Sequence, residues 1–395
     1  MKEINFSLYI EINNSNYVFY VEKHNNEKKS ENIYDLKVPI RGIENKRFSD
    51  YETVSKIIQE KIFFIEQKFN YSFKEIILIL ENFNPKFINL TGFKKLNGSQ
   101  VLRENITYII NTLKSYVDKI EKKYILHIFN SKFILDFKKI ENLPIGLFGD
   151  FYSHELSFVI INQNDYKNLQ NIFANCNLKI KKILLKSFIK GANISETNHI
   201  ETFFQIQINN SETKVFFFEN DSLKFEQDFS FGYEIILRDI SKITSLKIDT
   251  IKLILDNSEF AKLNENEIVE KKYFNNENYR KIKKKLIFDI VQARVKEIFD
   301  LIIFKNINLK YNIEFASFIF LDIQSEFHPK IFKEIYQAVI NEKKSLKLKF
   351  LENLSNESLI STANKIVHFG WKKEAIPVSK ATKSIVARFF DTIFS

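Results

Sequence analysis

Cys176 is the only cysteine in 395 residues, and a single thiol excludes both a disulfide framework and a cysteine-based metal site. The six histidines fall at no HExxH or other ligand spacing, and no Walker A, G-x-S-x-G or G-x-G-x-x-G string occurs. No metal site is therefore expected. The N-terminus is polar and lacks an apolar signal core, and runs such as Ile76 to Leu80 are too short to cross a bilayer. A cytoplasmic, non-transmembrane protein is the expectation. Only 8 glycines and 5 prolines stand beside 41 phenylalanines and abundant Ile, Asn and Lys, the composition of a low-GC genome. That drift accounts for the formal charge of +10, which would otherwise point to an anionic partner. Without RGG, RNP, zinc-finger or helix-turn-helix patterns, no nucleic-acid partner is expected.

What the chain does contain is a globular share of hydrophobic residues, 45%, and enough length for two large domains. It also contains a repeat. The string I-[E/Q]-I-N-N-S occurs at Ile10 and again at Ile206, each time followed by an aromatic-rich run. Each copy reads as strand, turn and strand. After the first copy come a polar loop (His24 to Asn32), a helix (Val54 to Phe69) and a buried strand (Glu75 to Leu80). The texture then changes over 82–162, where a helix near Arg103 to Lys119 and strands at Tyr124 to Phe137 and His154 to Ile161 suggest a small α+β insert. Lys181 to Ala192 reads as a strand entering a helix. After the second hairpin a mostly helical block runs from Gly232 to Ile307, then a strand at Phe315 to Ile323 and helices to Phe369. A unit repeated at half-length, each copy leading into strands and helices, predicts a duplicated α/β architecture.

Duplicated domains that each open on a hairpin are the architecture of actin, the heat-shock chaperone ATPases and the sugar kinases, where each turn cradles a phosphate. Four further segments make the resemblance specific. Tyr124 to Ile161, with His127, Asp136, Pro144, Gly146 and Gly149, resembles the LHxIPxxYxLDxxxxIxxPxGMxGxxLExxVHIVT segment of the FtsA family, the bacterial cell-division relatives of actin. Gly232 to Ile240 resembles GGxxITxDI, Ile290 to Ile302 resembles IIxPRxEEIxELV, and Ile360 to Gly370 resembles YATAVGLLLYG. The resemblance implies an actin-like, ribonuclease H-like ATPase fold with an inserted SHS2-type subdomain. Its implied divisions are 1–81 and 163–196 (subdomain 1A), 82–162 (1C), 197–231 and 308–370 (2A), 232–307 (2B), a linker at 371–382 and a terminal helix at 383–395.

The departures concern the phosphate loops. Family loops read LDIGSS and VDIGGGTTD; here stand Glu11, Asn13, Asn14 and Ser15, and Gln207, Asn209, Asn210 and Ser211, with Lys214 in place of the trailing Asp. No glycine lies in either loop. A phosphate cradle needs backbone N–H groups within close reach of the ligand and residues free to take positive φ. Asn tolerates the left-handed region, so the turns can persist, but its side chain stands where the phosphate should come. The third segment, LTGGxxQ in the family, is Leu321 to Phe327 here, and Ile251 stands near an expected nucleotide-contacting Glu. The expectation is a pseudo-ATPase that lacks hydrolysis and holds no ATP or Mg²⁺ cofactor.

The terminal stretch Lys383 to Ser395 places Ile385, Val386, Phe389, Phe390, Ile393 and Phe394 on one helical half-circle, with Arg388 among the polar residues opposite. A docked terminal helix and a membrane-surface helix share this pattern. The resemblance implies the second, attaching the protein to the cytoplasmic face of the inner membrane at the division site. It also implies a partner, the acidic C-terminal peptide of FtsZ, with contact residues falling on Arg294 and Glu297. Lys281, Lys283, Lys284 and Lys285 lie just upstream. Self-association into actin-like filaments and contacts with later division proteins follow from the same resemblance. The alternatives are an active actin-family ATPase and a PilM-type pilus assembly scaffold.

Overall fold

The computed structural model describes residues 5–24, 30–81, 83–121, 123–258, 264–274, 277–309, 314, 316–323, 330–342, 346–351 and 355–375. The chain forms two compact units, residues 1–189 with 360–395 and residues 190–359.

The first unit opens with the hairpin β1 (Asn5–Ile12) and β2 (Asn16–His24), to which β3 (Ser30–Pro39) adds as an antiparallel edge. A short ribbon, β4 (Ile43–Glu44) and β5 (Arg47–Phe48), leads into helix α1 (Tyr51–Phe69). The Asp50 carboxylate caps α1 by accepting from the Thr53 N–H, and Asn70 ends it in the left-handed conformation (φ 46°). Strand β6 (Glu75–Leu80) returns parallel to β1. Its IILIL run is buried on both faces, which is why it reads as continuous apolar sequence and not as an alternation.

An insert follows. Strands β7 (Lys86–Lys95), β8 (Lys123–Leu135), β9 (Lys138–Ile140) and β10 (Phe151–Asn162) form a separate antiparallel sheet in the order β7-β10-β8-β9. Helix α2 (Arg103–Glu121) covers it, burying Ile106, Ile109, Ile110 and Val117 against Ile128, Tyr152 and Leu156. Helix α3 (Gln163–Asn175) and strand β11 (Lys179–Leu185) close the unit's main sheet, whose order is β11-β6-β1-β2-β3.

Helix α4 (Lys186–Asn198) carries the chain onward, and the boundary between units falls within it. The second unit comprises β12 (Phe203–Ile208), β13 (Thr213–Glu219), β14 (Ser222–Phe229), α5 (Glu234–Thr244), α6 (Ile248–Asp256) and α7 (Lys284–Phe299). It continues through β15 (Phe318–Ile323), α8 (Lys330–Asn341), β16 (Lys347–Phe350) and the start of α9 (Asn356–Phe369). Its sheet order, β14-β13-β12-β15-β16, repeats that of the first unit strand for strand: an antiparallel three-strand meander and then two parallel strands. The repeated I-x-I-N-N-S string marks the same hairpin in both. No helix among the described residues is long and apolar enough to cross a membrane.

Candidate functional site

In the first unit β1, β6 and β11 run parallel, and their C-terminal ends meet at one edge of the sheet. Ligands in open α/β sheets bind outside such strand ends. Here the edge carries Glu11, Glu81 and Lys186. The Lys186 ammonium donates to Glu11 Oε1 at 2.8 Å and to Glu81 Oε2 at 2.9 Å. Glu11 Oε1 also accepts from Asn13 Nδ2 (2.7 Å), and its Oε2 accepts from the Tyr20 hydroxyl (2.8 Å). Burial alone would lower the Lys186 pKa, but Glu81 and Glu11 outweigh it and hold the ammonium charged well above its ordinary range. Burial, reinforced by Glu11, pushes the Tyr20 phenol up, so it stays a donor. An ammonium thus already stands between the two carboxylates that would otherwise attract a divalent cation.

The turn above this cluster is also internally satisfied. Asn13 Oδ1 accepts from the N–H groups of Ser15 (2.9 Å) and Asn16 (2.7 Å), and the Asn13 N–H donates to Asn16 O (3.1 Å). Among the residues of the two loops, none of Asn13, Asn14, Asn209 and Asn210 has positive φ. The turns do not persist through asparagine in the left-handed region, as the sequence suggested. The first is built by an Asn side chain bonding its own backbone.

The second hairpin is closed by different atoms. The Asn209 N–H donates to Glu212 O (2.8 Å), Asn209 Nδ2 donates to Glu212 Oε1 (3.0 Å), and Gln207 Nε2 reaches Asn209 Oδ1 (3.4 Å). At the start of α5 the N–H groups of Tyr233 and Glu234 donate to Asn209 O and Asn210 O, both at 3.1 Å. These helix N-terminal donors would serve an anion, yet turn carbonyls already take them. Lys214 and Asp322 lie opposite Gln207 on the two neighbouring strands. Lys214 is buried, and Asp322 accepts from Lys190 Nζ (3.1 Å). Ile251 is buried in the apolar core of the unit. Ser211 is an exposed turn residue, and Gln324 to Phe327 lie outside the described residues.

Arg294 and Glu297 come together on α7. Arg294 Nε donates to Asp239 Oδ2 of α5, and its Nη1 donates to Glu297 Oε2 at 2.7 Å. An incoming carboxylate would therefore share the guanidinium with Asp239 and Glu297. Of the upstream lysines, Lys284 is buried against Glu267, Lys285 pairs with Glu265 (2.6 Å), Lys283 donates to Asn266 Oδ1 (3.1 Å), and Lys281 is exposed.

One feature went unread in the sequence. Trp371 to Ala375, the first part of the expected linker, is docked on the insert. The Asn130 N–H donates to Lys373 O, and the Ala375 N–H to Ile128 O, each at 2.7 Å. Glu374 accepts from Lys182 Nζ (2.7 Å) and lies 3.3 Å from His127 Nδ1. The Leu185 N–H donates to His127 Nε2 (3.3 Å), which leaves Nδ1 as the protonated nitrogen facing Glu374. Burial keeps this imidazole neutral, its pKa lowered despite Glu374. Burial would raise Glu374, but the His127 hydrogen bond and Lys182 outweigh it and hold the carboxyl below its usual range. Trp371 packs edge-on against Phe188, ring centroids 6.0 Å apart. Nothing short of the fold brings these residues together, because polar KKEA after a helix reads as linker. Ile385, Val386, Arg388, Phe389, Phe390, Ile393 and Phe394 lie outside the described residues.

No protein-family model matches the chain. Curated relatives do. The cell division protein FtsA of Buchnera aphidicola (subspecies Schizaphis graminum) is 22% identical over 267 residues, 66% of this chain and 63% of that protein. FtsA of Neisseria meningitidis serogroup B is 21% identical over 69% of this chain and 67% of its own length. FtsA of Escherichia coli K12 aligns over a shorter segment, 37% of this chain at 22% identity. The aligned part thus spans less than two thirds of the Buchnera protein and about a third of the E. coli one. Among solved structures, a PilM–PilN type IV pilus biogenesis complex matches with TM-score 0.50 at 8% identity, covering 91% of this chain and 95% of that one. That likeness is one of fold alone. The fold is the duplicated actin-like one, and the curated homologues of the chain, at about 22% identity, are FtsA proteins.

Proposed function

We propose that this chain is a membrane-attached scaffold of the bacterial cell-division apparatus. It binds the acidic C-terminal peptide of FtsZ through the α7 surface around Arg294 and Glu297 and holds FtsZ filaments at the cytoplasmic face of the inner membrane. The observation that carries the reading is the similarity to FtsA over two thirds of the chain, with the four-stranded insert set between β6 and β11. The amphipathic pattern of Lys383 to Ser395 supports membrane attachment, each basic residue near an anionic leaflet adding ~1 kcal/mol to the apolar contribution. The pilus-assembly alternative has likeness of fold alone in its favour.

The scaffold works without ATP hydrolysis. Mg²⁺ and phosphate do not fit the residues present: Lys186 fills the cation position beside Glu11 and Glu81, and loop carbonyls and the Asn13 side chain occupy the donors that would face a phosphate. Self-association through actin-like contacts is compatible with a nucleotide-free fold.

Co-sedimentation tests the reading. The full chain should pellet with phosphatidylglycerol vesicles and carry FtsZ with it, while a chain ending at Ser379 stays in solution. Arg294→Glu should leave vesicle binding intact and weaken FtsZ recruitment about tenfold, the loss of one charge-assisted pair. If the full chain ignores both vesicles and FtsZ, the scaffold reading fails.

A further inference from the structure

The exposed flank of α2, bordered by Lys94 of β7 with its Nζ 4.8 Å from the centre of the Tyr108 ring, is not the polar surface that a packed amphipathic helix normally presents. Tyr108, Tyr116 and Ile120 stand there 56%, 54% and 56% exposed. With exposed Thr112 they make a single i, i+4 row, about 18 Å long at 1.5 Å per residue. The core-facing side of the helix is already satisfied by Ile106, Ile109, Ile110 and Val117.

The chain itself carries a cover of matching form. Ala375, the last described residue, packs into the same apolar core as those four α2 residues, so the chain leaves the insert on its helix-covered side. It runs antiparallel to β8, Lys373 opposite Asn130 and Ala375 opposite Ile128, and therefore heads toward Lys123, just beyond the C-terminal end of α2. Seven residues, 376–382, then lead to Lys383, a reach of at most about 25 Å.

We propose that residues 383–395, when no membrane is present, fold back as a helix onto the Tyr108–Thr112–Tyr116–Ile120 row. The apolar residues of this segment form two i, i+4 rows, Ile385–Phe389–Ile393 and Val386–Phe390–Phe394. The groove between them accepts the single α2 row as a ridge, and that row and a helix over 383–395 have the same length of about 18 Å. A short tether makes the encounter intramolecular, at an effective concentration in the millimolar range. The residues that enter a bilayer are then the residues that α2 covers, so lipid and α2 compete for one apolar face. Whatever occupies α2 frees the segment for the membrane, and membrane binding exposes α2. The competition rests on the membrane reading above; the docking itself does not.

Two measurements on the full chain test this. Tyr116→Asp with Ile120→Asp alters only exposed side chains. A segment docked nine-tenths of the time binds vesicles about tenfold more weakly than a free one, so the double variant should bind phosphatidylglycerol vesicles about tenfold more tightly than wild type. Separately, Tyr116→Cys with Phe390→Cys in a Cys176→Ser background should form an intrachain disulfide on oxidation, and vesicles should suppress it. No intrachain cross-link, or a cross-link found only between two chains, overturns the docking, and strong vesicle binding that the double variant leaves unchanged does so too while the membrane reading stands. An intrachain cross-link in a chain that ignores vesicles supports the docking and removes the membrane reading instead.

Discussion

Lys186 joins two carboxylates that sequence keeps far apart, Glu11 at 175 residues' separation and Glu81 at 105. Removing one partner of a buried ion pair leaves the other charge uncompensated, which typically costs about 3–5 kcal/mol. Lys186→Met should therefore lower stability by about 3 kcal/mol in urea denaturation, and Glu11→Gln in the same chain should recover part of the loss. A Lys186→Met change within the error of wild type would show that the ammonium is not a structural cation. His154 makes a different kind of claim. It is buried between the rings of Phe133 and Tyr152, and neither ring nitrogen has a hydrogen-bond partner among the described residues. Burial lowers its pKa to about 4, Glu155 opposing only in part. The unfolded chain takes up the proton near pH 6.5 and the folded chain only near 4, so stability falls as pH drops across that window and levels off below it. The full loss is about 3 kcal/mol at 1.36 kcal/mol per pH unit. His154→Phe should flatten the stability profile between pH 6.5 and 4; an unchanged profile would place the acid sensitivity elsewhere.

At the scale of the element, Gly232 decides how α5 meets the second hairpin. Its φ is not in the left-handed region, so the requirement is one of space: a Cβ there would stand 2.1 Å from Asn209 O and 2.5 Å from Asn210 O. Both atoms are backbone and cannot swing aside. Gly232→Ala should cost about 2 kcal/mol or more, at the upper part of the range for overpacking, and should register as a lower denaturation midpoint. Gly191→Ala, which meets the ring of buried Phe218, belongs to the same class. The elements legible in the sequence are those whose pattern is set by burial. The central hairpins, β6 and α1 are apolar runs or apolar periodicities bounded by Asn, Asp and Ser. Edge strands other than β11 were not legible. Residues 31–39 alternate exposed and half-buried positions, and the sequence around His24 to Asn32 reads as a polar loop because an edge has one wet side. β7, β14 and β16 escaped for the same reason. In the candidate site the loop residues were legible as departures from glycine, while their replacements' work was not. Asn13 acts through its own turn, but Lys186, and Glu374 at 247 residues from His127, act through tertiary contacts that no local pattern announces.

For the whole molecule the question is whether nucleotide still contributes to the fold. Each unit satisfies its hairpin from within, the first through Asn13 and Lys186 and the second through Glu212 and the start of α5. A ligand present at a hundred times its dissociation constant stabilises the folded state by about 2.7 kcal/mol. At 2–4 °C per kcal/mol for units of this size, that is a rise of about 5–10 °C in thermal midpoint. With millimolar Mg²⁺ and ATP this chain should shift by less than about 1 °C on the same scale. A rise of 5 °C or more would restore the active-ATPase reading and require Lys186 to leave its carboxylates on binding. The Lys186→Met variant separates the two ideas. Without its ammonium, Glu11 and Glu81 become a pair of like charges at the C-terminal edge of parallel strands, a carboxylate arrangement suited to Mg²⁺. Mg²⁺ alone should then raise the midpoint of the variant while leaving wild type unmoved. If it stabilises both equally, the cation is binding elsewhere, and the lysine does not stand in for the metal.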